Sequence, residues 1–129
     1  MIENIPNMVF VKDAVELRFV RFNLAGEKLL GLSREEMIGK NDFDFFSAQE
    51  AERFVTADRQ TLRSRLLVDI PEESIQTKAK GTRLLHTKKI PILDATGEPA
   101  FLLGISEDIT DAKVVHCERS QNGTCWLAI

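Results

Sequence analysis

The sequence predicts an α+β domain, in which an antiparallel sheet carries its helices on one face. Three observations predict this class. Apolar side chains recur at helical spacing over residues 47–65, they recur with a period of two after residue 67, and turn signals at Gly81 and residues 94–97 divide this second region into strands. Strands joined by such short turns pair antiparallel, so the region after residue 67 is predicted to be a three-stranded meander.

Two short strands are predicted near the start of the chain. Residues 8–11 are apolar, and residues 18–22 alternate polar with apolar side chains. Lys12 and Asp13 are predicted to form the turn between these two strands. Together with the meander, these segments bring the predicted number of strands to five.

Short helices are predicted after the second strand. Asn23 is placed to cap a helix over residues 24–30, which Gly31 ends. Ser33 and Glu36 have the spacing of a capping box, in which each residue bonds the other's backbone N–H, so they begin another short helix.

The longest helix is predicted to begin at a second capping box, Ser47 with Glu50, after an irregular stretch over residues 41–46. Its apolar stripe is interrupted by Asp58. Capping explains Ser33 and Ser47 better than a nucleophilic role, and no nucleophile–base pair is evident, so no catalysis is predicted. The stripe comprises Ala51, Phe54, Val55, Leu62 and Leu66.

The strands of the meander are predicted over residues 67–77, 82–93 and 99–110. Pro71 lies within the first of them. Because proline donates no hydrogen bond to a sheet, it predicts an edge strand or a bulge at this place.

Composition narrows the class of protein. The chain has 129 residues, 43% of them hydrophobic and 29% charged, with a formal net charge of −3; this suits one globular domain. The basic cluster within residues 78–89 is flanked by acidic residues and lacks interleaved aromatic rings, which favours a solvated strand over nucleic-acid binding. The sequence contains no run of 18 apolar residues, so no membrane-spanning helix is predicted.

The cysteines indicate a reducing compartment and therefore a cytoplasmic location. Cys117 and Cys125 are too few, and lie too close to the C-terminus, to staple the fold. With His116 beside them they still lack the spacing of a zinc site. His86 lies alone on a strand and is interpreted as a surface or edge residue.

Several stretches, in a fixed order and spacing, carry a family resemblance. They are residues 5–13, 22–25, 29–31, 36–46, 70–73, 87–92, Asp94, Gly97, 103–106 and 108–110. In these stretches the chain resembles the PAS family of sensory domains, specifically those that precede histidine kinases and cyclic-dinucleotide enzymes in bacteria. The domain is thus expected over residues 1–110, with residues 111–129 as a C-terminal tail or output linker.

The resemblance implies a five-stranded antiparallel sheet that is cupped around a cavity and covered by the helices. It implies that a signal leaves through Asp108, Ile109 and Thr110 towards an effector, such as a histidine kinase or a cyclase. PAS domains commonly form dimers. The function expected is therefore sensing and relay, and the fold alone does not identify the signal.

Flavin and haem are not expected as cofactors. Light sensors of the family use a cysteine just after a Gly-x-Asn sequence, and here Asp42 takes that place after Asn41. Haem-binding members use a histidine on the long helix, which has none over residues 47–65. The single tryptophan, Trp126, lies in the tail. An unidentified small ligand and an empty, packed core both remain open.

Strand parity and the family's ligand-facing position, two residues before Asp108, predict the lining of the cavity. That position is Ser106. The neighbouring strand contributes alternate residues, and aromatic and aliphatic side chains of the helical region complete the walls. The predicted lining is Phe43, Phe46, Phe54, Leu62, Leu85, Thr87, Lys89, Leu102, Gly104 and Ser106.

An inward-facing Lys89 needs an anion, because an unpaired buried charge is costly. Asp42, Asp44 and Asp58 are the candidate partners. Two interpretations stay open: a structural ion pair that ties helix to sheet, and a polar anchor for a carboxylate ligand.

The opposite parity predicts an apolar outer face of the sheet, which a second copy of the chain would cover. This predicted dimer interface comprises Phe101, Leu103, Ile105, Leu84 and Ile90. The alternative function is a ligand-free dimerisation module. A small cup-shaped isomerase or hydratase is a third hypothesis, which the missing acid–base pair disfavours.

Overall fold

The computed structural model describes residues 5–111. The tail beyond Asp111 lies outside the described residues, and so do His116, Cys117, Cys125 and Trp126. In chain order the elements are β1 (Met8–Asp13), β2 (Phe19–Phe22), α1 (Leu24–Leu30), α2 (Arg34–Met37), a 3-10 helix (Asp42–Asp44), α3 (Ala48–Ser64), β3 (Val68–Thr77), β4 (Gly81–Leu93) and β5 (Pro99–Asp108).

The strands form one antiparallel sheet in the order β2-β1-β5-β4-β3, which confirms the α+β class. β5 is central, so the last strand of the described residues contacts both halves of the sheet. Both consequences predicted for Pro71 are found: β3 is an edge strand, and its register with β4 shifts between Ile70 and Glu73.

The first predicted turn was wrong. Lys12 and Asp13 belong to β1, and the chain turns after them. The Asp13 carboxylate holds this turn by accepting hydrogen bonds from the backbone N–H groups of Val15, Glu16 and Arg18. Because side chains alternate along a strand, the longer β1 points Lys12 to the same side of the sheet as Phe10.

The predicted caps account for where the helices begin. The Asn23 side chain caps α1, and Ser33 with Glu36 forms a complete capping box at α2. At α3 only half of the predicted box is present. Ser47 accepts from the N–H of Glu50, whereas the Glu50 carboxylate accepts from the backbone N–H of Gln76 on β3.

Leu66 was wrongly predicted to belong to the apolar stripe of α3. The helix ends at Ser64, and Arg65 adopts a left-handed backbone conformation with φ of 59°. The chain therefore leaves the helical path before Leu66, whose side chain is 67% exposed. Thr61, which the stripe omitted, is fully buried and donates its hydroxyl to the carbonyl of Ala57.

Side-chain parity along β5 is as predicted. Leu102, Gly104 and Ser106 are buried on the inner face, while Leu103 and Ile105 on the outer face are only partly buried. Helices and inner face together form one core cluster. It comprises Met8, Phe10, Leu17, Phe19, Phe22, Leu29, Leu30, Met37, Phe54, Leu62, Ile75, Leu85 and Leu102.

Candidate ligand cavity and its buried ion pairs

A cavity of about 40 Å³ lies between the helices and the inner face of the sheet. Six of the ten predicted lining residues surround it: Phe46, Phe54, Leu85, Thr87, Lys89 and Ser106. The other walls are Met8, Phe10, Lys12, Phe19, Phe22, Leu30, Asp42, Glu73 and Ile75. The cavity is therefore apolar, with a few polar groups that converge on one side.

The other four predicted lining residues lie elsewhere. Phe43 is 50% exposed, because the 3-10 helix turns Asp42 inward and Phe43 outward. Leu62 and Leu102 are buried in the core without lining the cavity. Gly104 faces the cavity side of the sheet, but the ring of Phe10 lies directly over it.

Asp58 is the centre of a buried ion-pair network. Its side chain, on α3, is 0% exposed, and its two carboxylate oxygens accept from the ammonium groups of Lys89 on β4 and Lys12 on β1. Lys12 Nζ lies 2.6 Å from Asp58 and also 2.6 Å from Asp42. Asp44 is exposed and caps its own 3-10 helix, so it takes no part in the network.

The network is electrically balanced, since two ammonium groups face two carboxylates. Burial alone would lower the pKa of Lys12, but the carboxylates of Asp58 and Asp42 outweigh burial and raise it, so Lys12 stays charged. Burial also raises the pKa of the Asp42 carboxyl, which the Lys12 ammonium offsets only in part. Such a network ties a helix to strands on both sides of β5.

Aromatic rings surround the ammonium group of Lys12. Its Nζ atom lies 5.4 Å from the ring centre of Phe10 and 5.0 Å from that of Phe19. The negative faces of aromatic rings attract cations, so both rings stabilise the buried charge. The two rings also contact each other edge-on, with centres 5.9 Å apart.

Two hydroxyl groups form the remaining polar feature of the cavity. The side-chain oxygens of Thr87 on β4 and Ser106 on β5 lie 2.8 Å apart, and both residues are buried. Either hydroxyl can be the donor. This pair connects the cavity directly to the strand that ends at Asp108.

The predicted exit at residues 108–110 is fastened to the start of β4. The Asp108 carboxylate accepts from Arg83 at 2.8 Å, and the Thr110 hydroxyl accepts from the N–H of Leu84 at 2.7 Å. The N–H of Ile109 donates to the carbonyl of Leu84. The first residues of β4 therefore contact the exit, and the central residues of the same strand line the cavity.

On the outer face, four of the five residues predicted for a dimer interface form a partly exposed apolar patch: Phe101, Leu103, Ile105 and Ile90. Leu84 lies apart from this patch, because His86 and Lys88 come between it and Ile90 on the same face of β4. Leu103 pairs with Ile90 on one side and with Val11 on the other, and Phe101 pairs with Ile92. Phe101 is 40% exposed. The patch therefore has accessible apolar surface, which suits contact with another surface.

Sequence reasoning missed Lys12, and a signal for it was present. Phe10 and Lys12 are two residues apart, so a strand extended by two residues would have placed both on the inner face. The adjacent Lys12 and Asp13 resembled a polar turn, which concealed that parity.

We expect Lys89→Met to destabilise the fold by about 1–2 kcal/mol, because Asp58 loses one of its two buried partners but keeps Lys12. Methionine preserves the apolar stem. Lys40→Met is the matched control, since Lys40 is exposed in the loop after α2. Urea denaturation measures both, and equal midpoints for the two variants would show that Lys89 contributes nothing through its ion pair.

Within residues 5–111, no cluster of three or more metal-ligating side chains is present. In the same part of the chain, no helix combines the length and the hydrophobicity that crossing a bilayer requires.

Comparison with known proteins identifies similar sequences. Residues 2–114 match the family described as PAS fold. The chain is 32% identical to the methanogenesis regulatory histidine kinase FilI of Methanothrix harundinacea over 113 residues, which are 88% of this chain and 12% of that protein. It is 38% identical to a diguanylate cyclase of Vibrio cholerae over 86 residues, which are 65% of this chain and 26% of the cyclase. The chain thus spans only a small part of these relatives.

Solved structures share the fold. A complex of the Vibrio cholerae protein VqmA with its ligand and DNA superposes with a TM-score of 0.74 at 26% identity, over 85% of this chain and 49% of that one.

Proposed function

The chain belongs to the PAS-fold family, and from this premise we propose that it is the sensory input module of a larger signalling protein, with a histidine kinase or a cyclase as its effector. Relatives that carry such effectors support the proposal. The proposal places the module in the cytoplasm, where such effectors meet their nucleotide substrates, and assigns catalysis to the effector alone.

The observation that carries the proposal is the cavity with its converging polar groups. An apolar cavity with a few well-placed polar side chains is the usual form of a small-molecule site. Lys89, Thr87 and Ser106 supply such groups here, and all three are buried. Burying an ion-pair network seldom stabilises a fold more than apolar packing would, which supports a role beyond stability.

We propose residues 108–110 as the exit of the signal. Ser106 lies on the same strand as Asp108, two residues before it, so a molecule that separates Ser106 from Thr87 acts directly on that strand. Displacement of β5 against β4 would alter the contacts of Asp108 with Arg83 and of Thr110 with Leu84. Residues 111–129 would then form the output linker.

Native mass spectrometry of freshly purified protein tests the sensory proposal. A small molecule bound in one-to-one ratio, and lost on denaturation, is the expected result. A chain that remains empty in every preparation, and that no candidate compound stabilises, would contradict sensing. It would favour the alternative of a ligand-free interaction module.

The outer apolar patch supports a homodimer, and we expect the wild type to dimerise at high micromolar concentration. Apolar area that leaves water contributes about 25 cal/mol per Å². Leu103→Glu places a charge beside Val11 and Ile90 and should yield a monomer. Sedimentation velocity measures both. Val15→Glu is the control, because Val15 is exposed in the β1–β2 turn and away from the patch. A monomeric wild type, or a Leu103→Glu variant that still dimerises, would contradict the interface.

A further inference from the structure

The donors and acceptors around the cavity are not balanced, although each buried polar atom has a partner. Within residues 5–111, no buried side-chain nitrogen or oxygen lacks a hydrogen bond. An ammonium group, however, carries three N–H donors. In the described part of the chain, Lys89 Nζ donates only to Asp58, so two of its N–H groups remain available beside the cavity.

The hydroxyl pair adds another available donor. Thr87 and Ser106 share a single hydrogen bond, in which one hydroxyl donates to the other. The O–H of the accepting hydroxyl has no acceptor among the described residues. Both side chains line the cavity next to Lys89 on the inner face of the sheet. The polar side of the cavity is therefore rich in donors.

The balanced charge of the ion-pair network favours a neutral ligand acceptor over a charged one. Lys12 and Lys89 are already neutralised by Asp42 and Asp58. A carboxylate ligand would add an uncompensated buried negative charge, which is costly at a site enclosed by aromatic rings. A neutral oxygen acceptor uses the free donors without adding charge.

The position of Phe46, beside both the cavity and a surface groove, affects how large a ligand the cavity can hold. A cavity of about 40 Å³ holds a few water molecules and is much smaller than typical ligand pockets of about 300–1,000 Å³. Phe46 is only partly buried, and together with Leu30 it borders both the cavity and a surface groove of about 330 Å³. Its described ring contact is an edge-on one with Phe54, with centres 5.2 Å apart. Rotation of Phe46 would join the two spaces.

On the basis of the proposed sensory function, we infer that the cavity binds a small uncharged molecule whose carbonyl oxygen accepts from Lys89 and from the Thr87–Ser106 hydroxyl pair. Its apolar body lies against the aromatic wall and displaces the Phe46 ring towards the groove. The carboxylate anchor considered from the sequence is thereby replaced by a neutral acceptor.

Three matched probes test this inference: acetophenone, benzoate and ethylbenzene share a phenyl ring and differ in the polar group. Titrations followed by backbone amide NMR give the affinities, and the shifts of the Thr87, Gly104 and Ser106 amides locate the site. We expect acetophenone to bind about tenfold more tightly than either other probe. Thr87→Val combined with Ser106→Ala should reduce this preference, with the Lys89 donors left in place, without weakening ethylbenzene.

Each other result overturns the inference. Tighter binding of benzoate would show an anion site, and equal binding of acetophenone and ethylbenzene would show that the donors do not act. If the double variant does not fold, Lys89→Met alone must still reduce the preference for acetophenone, because it removes the ammonium donors from the cavity. No binding by any probe also refutes the inference, and native mass spectrometry then decides separately whether the sensory proposal stands.

Discussion

Asp58→Asn is expected to destabilise the domain by about 3–5 kcal/mol, the usual cost of removing one partner from a buried ion pair. Asn preserves the size of the side chain but removes the charge, leaving Lys89 without a carboxylate and Lys12 with Asp42 alone. Small domains have a total stability of about 5–15 kcal/mol, so the loss is a large fraction. The midpoint of urea denaturation measures it.

Two comparisons make the Asp58 result specific. Glu52→Gln removes a carboxylate from an exposed position of the same helix and should change stability by about 0.5 kcal/mol or less. Replacing the whole network by Met at Lys12 and Lys89 and Leu at Asp42 and Asp58 should recover most of the loss, because apolar packing substitutes well for buried ion pairs. An Asp58→Asn variant as stable as Glu52→Gln would contradict the network.

Gly104→Ala is expected to cost up to about 3 kcal/mol, because it overpacks a filled site. Gly104 lies opposite Phe10 on the neighbouring strand, and a Cβ atom at this position would come within 2.0 Å of the Phe10 ring. The ring must then move, and with it the contact that the ring makes with the Lys12 ammonium. Thermal and urea denaturation both measure the effect.

A double-mutant cycle separates this clash from a general loss of strand stability. Phe10→Leu removes the edge of the ring that meets the new methyl group, so Gly104→Ala should cost much less in that background than in the wild type. Equal costs in the two backgrounds would show that Phe10 is not the reason for glycine at this position.

The fold could be predicted from the sequence wherever a local signal decides the structure. Asn23 and the Ser33–Glu36 box begin helices through bonds within a few residues. The turn at residues 94–97 closes on its own backbone, with Gly97 at a φ of 87°. Side chains along β5 alternate between the two faces of the sheet, so the direction of one residue fixes the direction of all the others. The family resemblance supplied that one residue, the inward-facing Ser106.

The ion-pair network could be predicted only in part, because its contacts join distant positions. Lys12 lies 30 residues from Asp42 and 46 from Asp58, so no local pattern reports their meeting. The charge of Lys89 indicated an acidic partner without choosing among three aspartates. Phe43 was placed inside because it is aromatic, whereas the backbone rotation of the 3-10 helix buries Asp42 instead.

Hydrogen exchange at the exit tests the central claim, that occupancy of the cavity is relayed through the end of β5. Two amides are followed. The N–H of Leu84 donates to the Thr110 hydroxyl, and the N–H of Ile109 donates to the Leu84 carbonyl. Saturation with acetophenone, or with a molecule that co-purifies, should change their exchange rates, and this change should be lost in Ser106→Ala. Saturated binding that leaves both rates unaltered would contradict the relay.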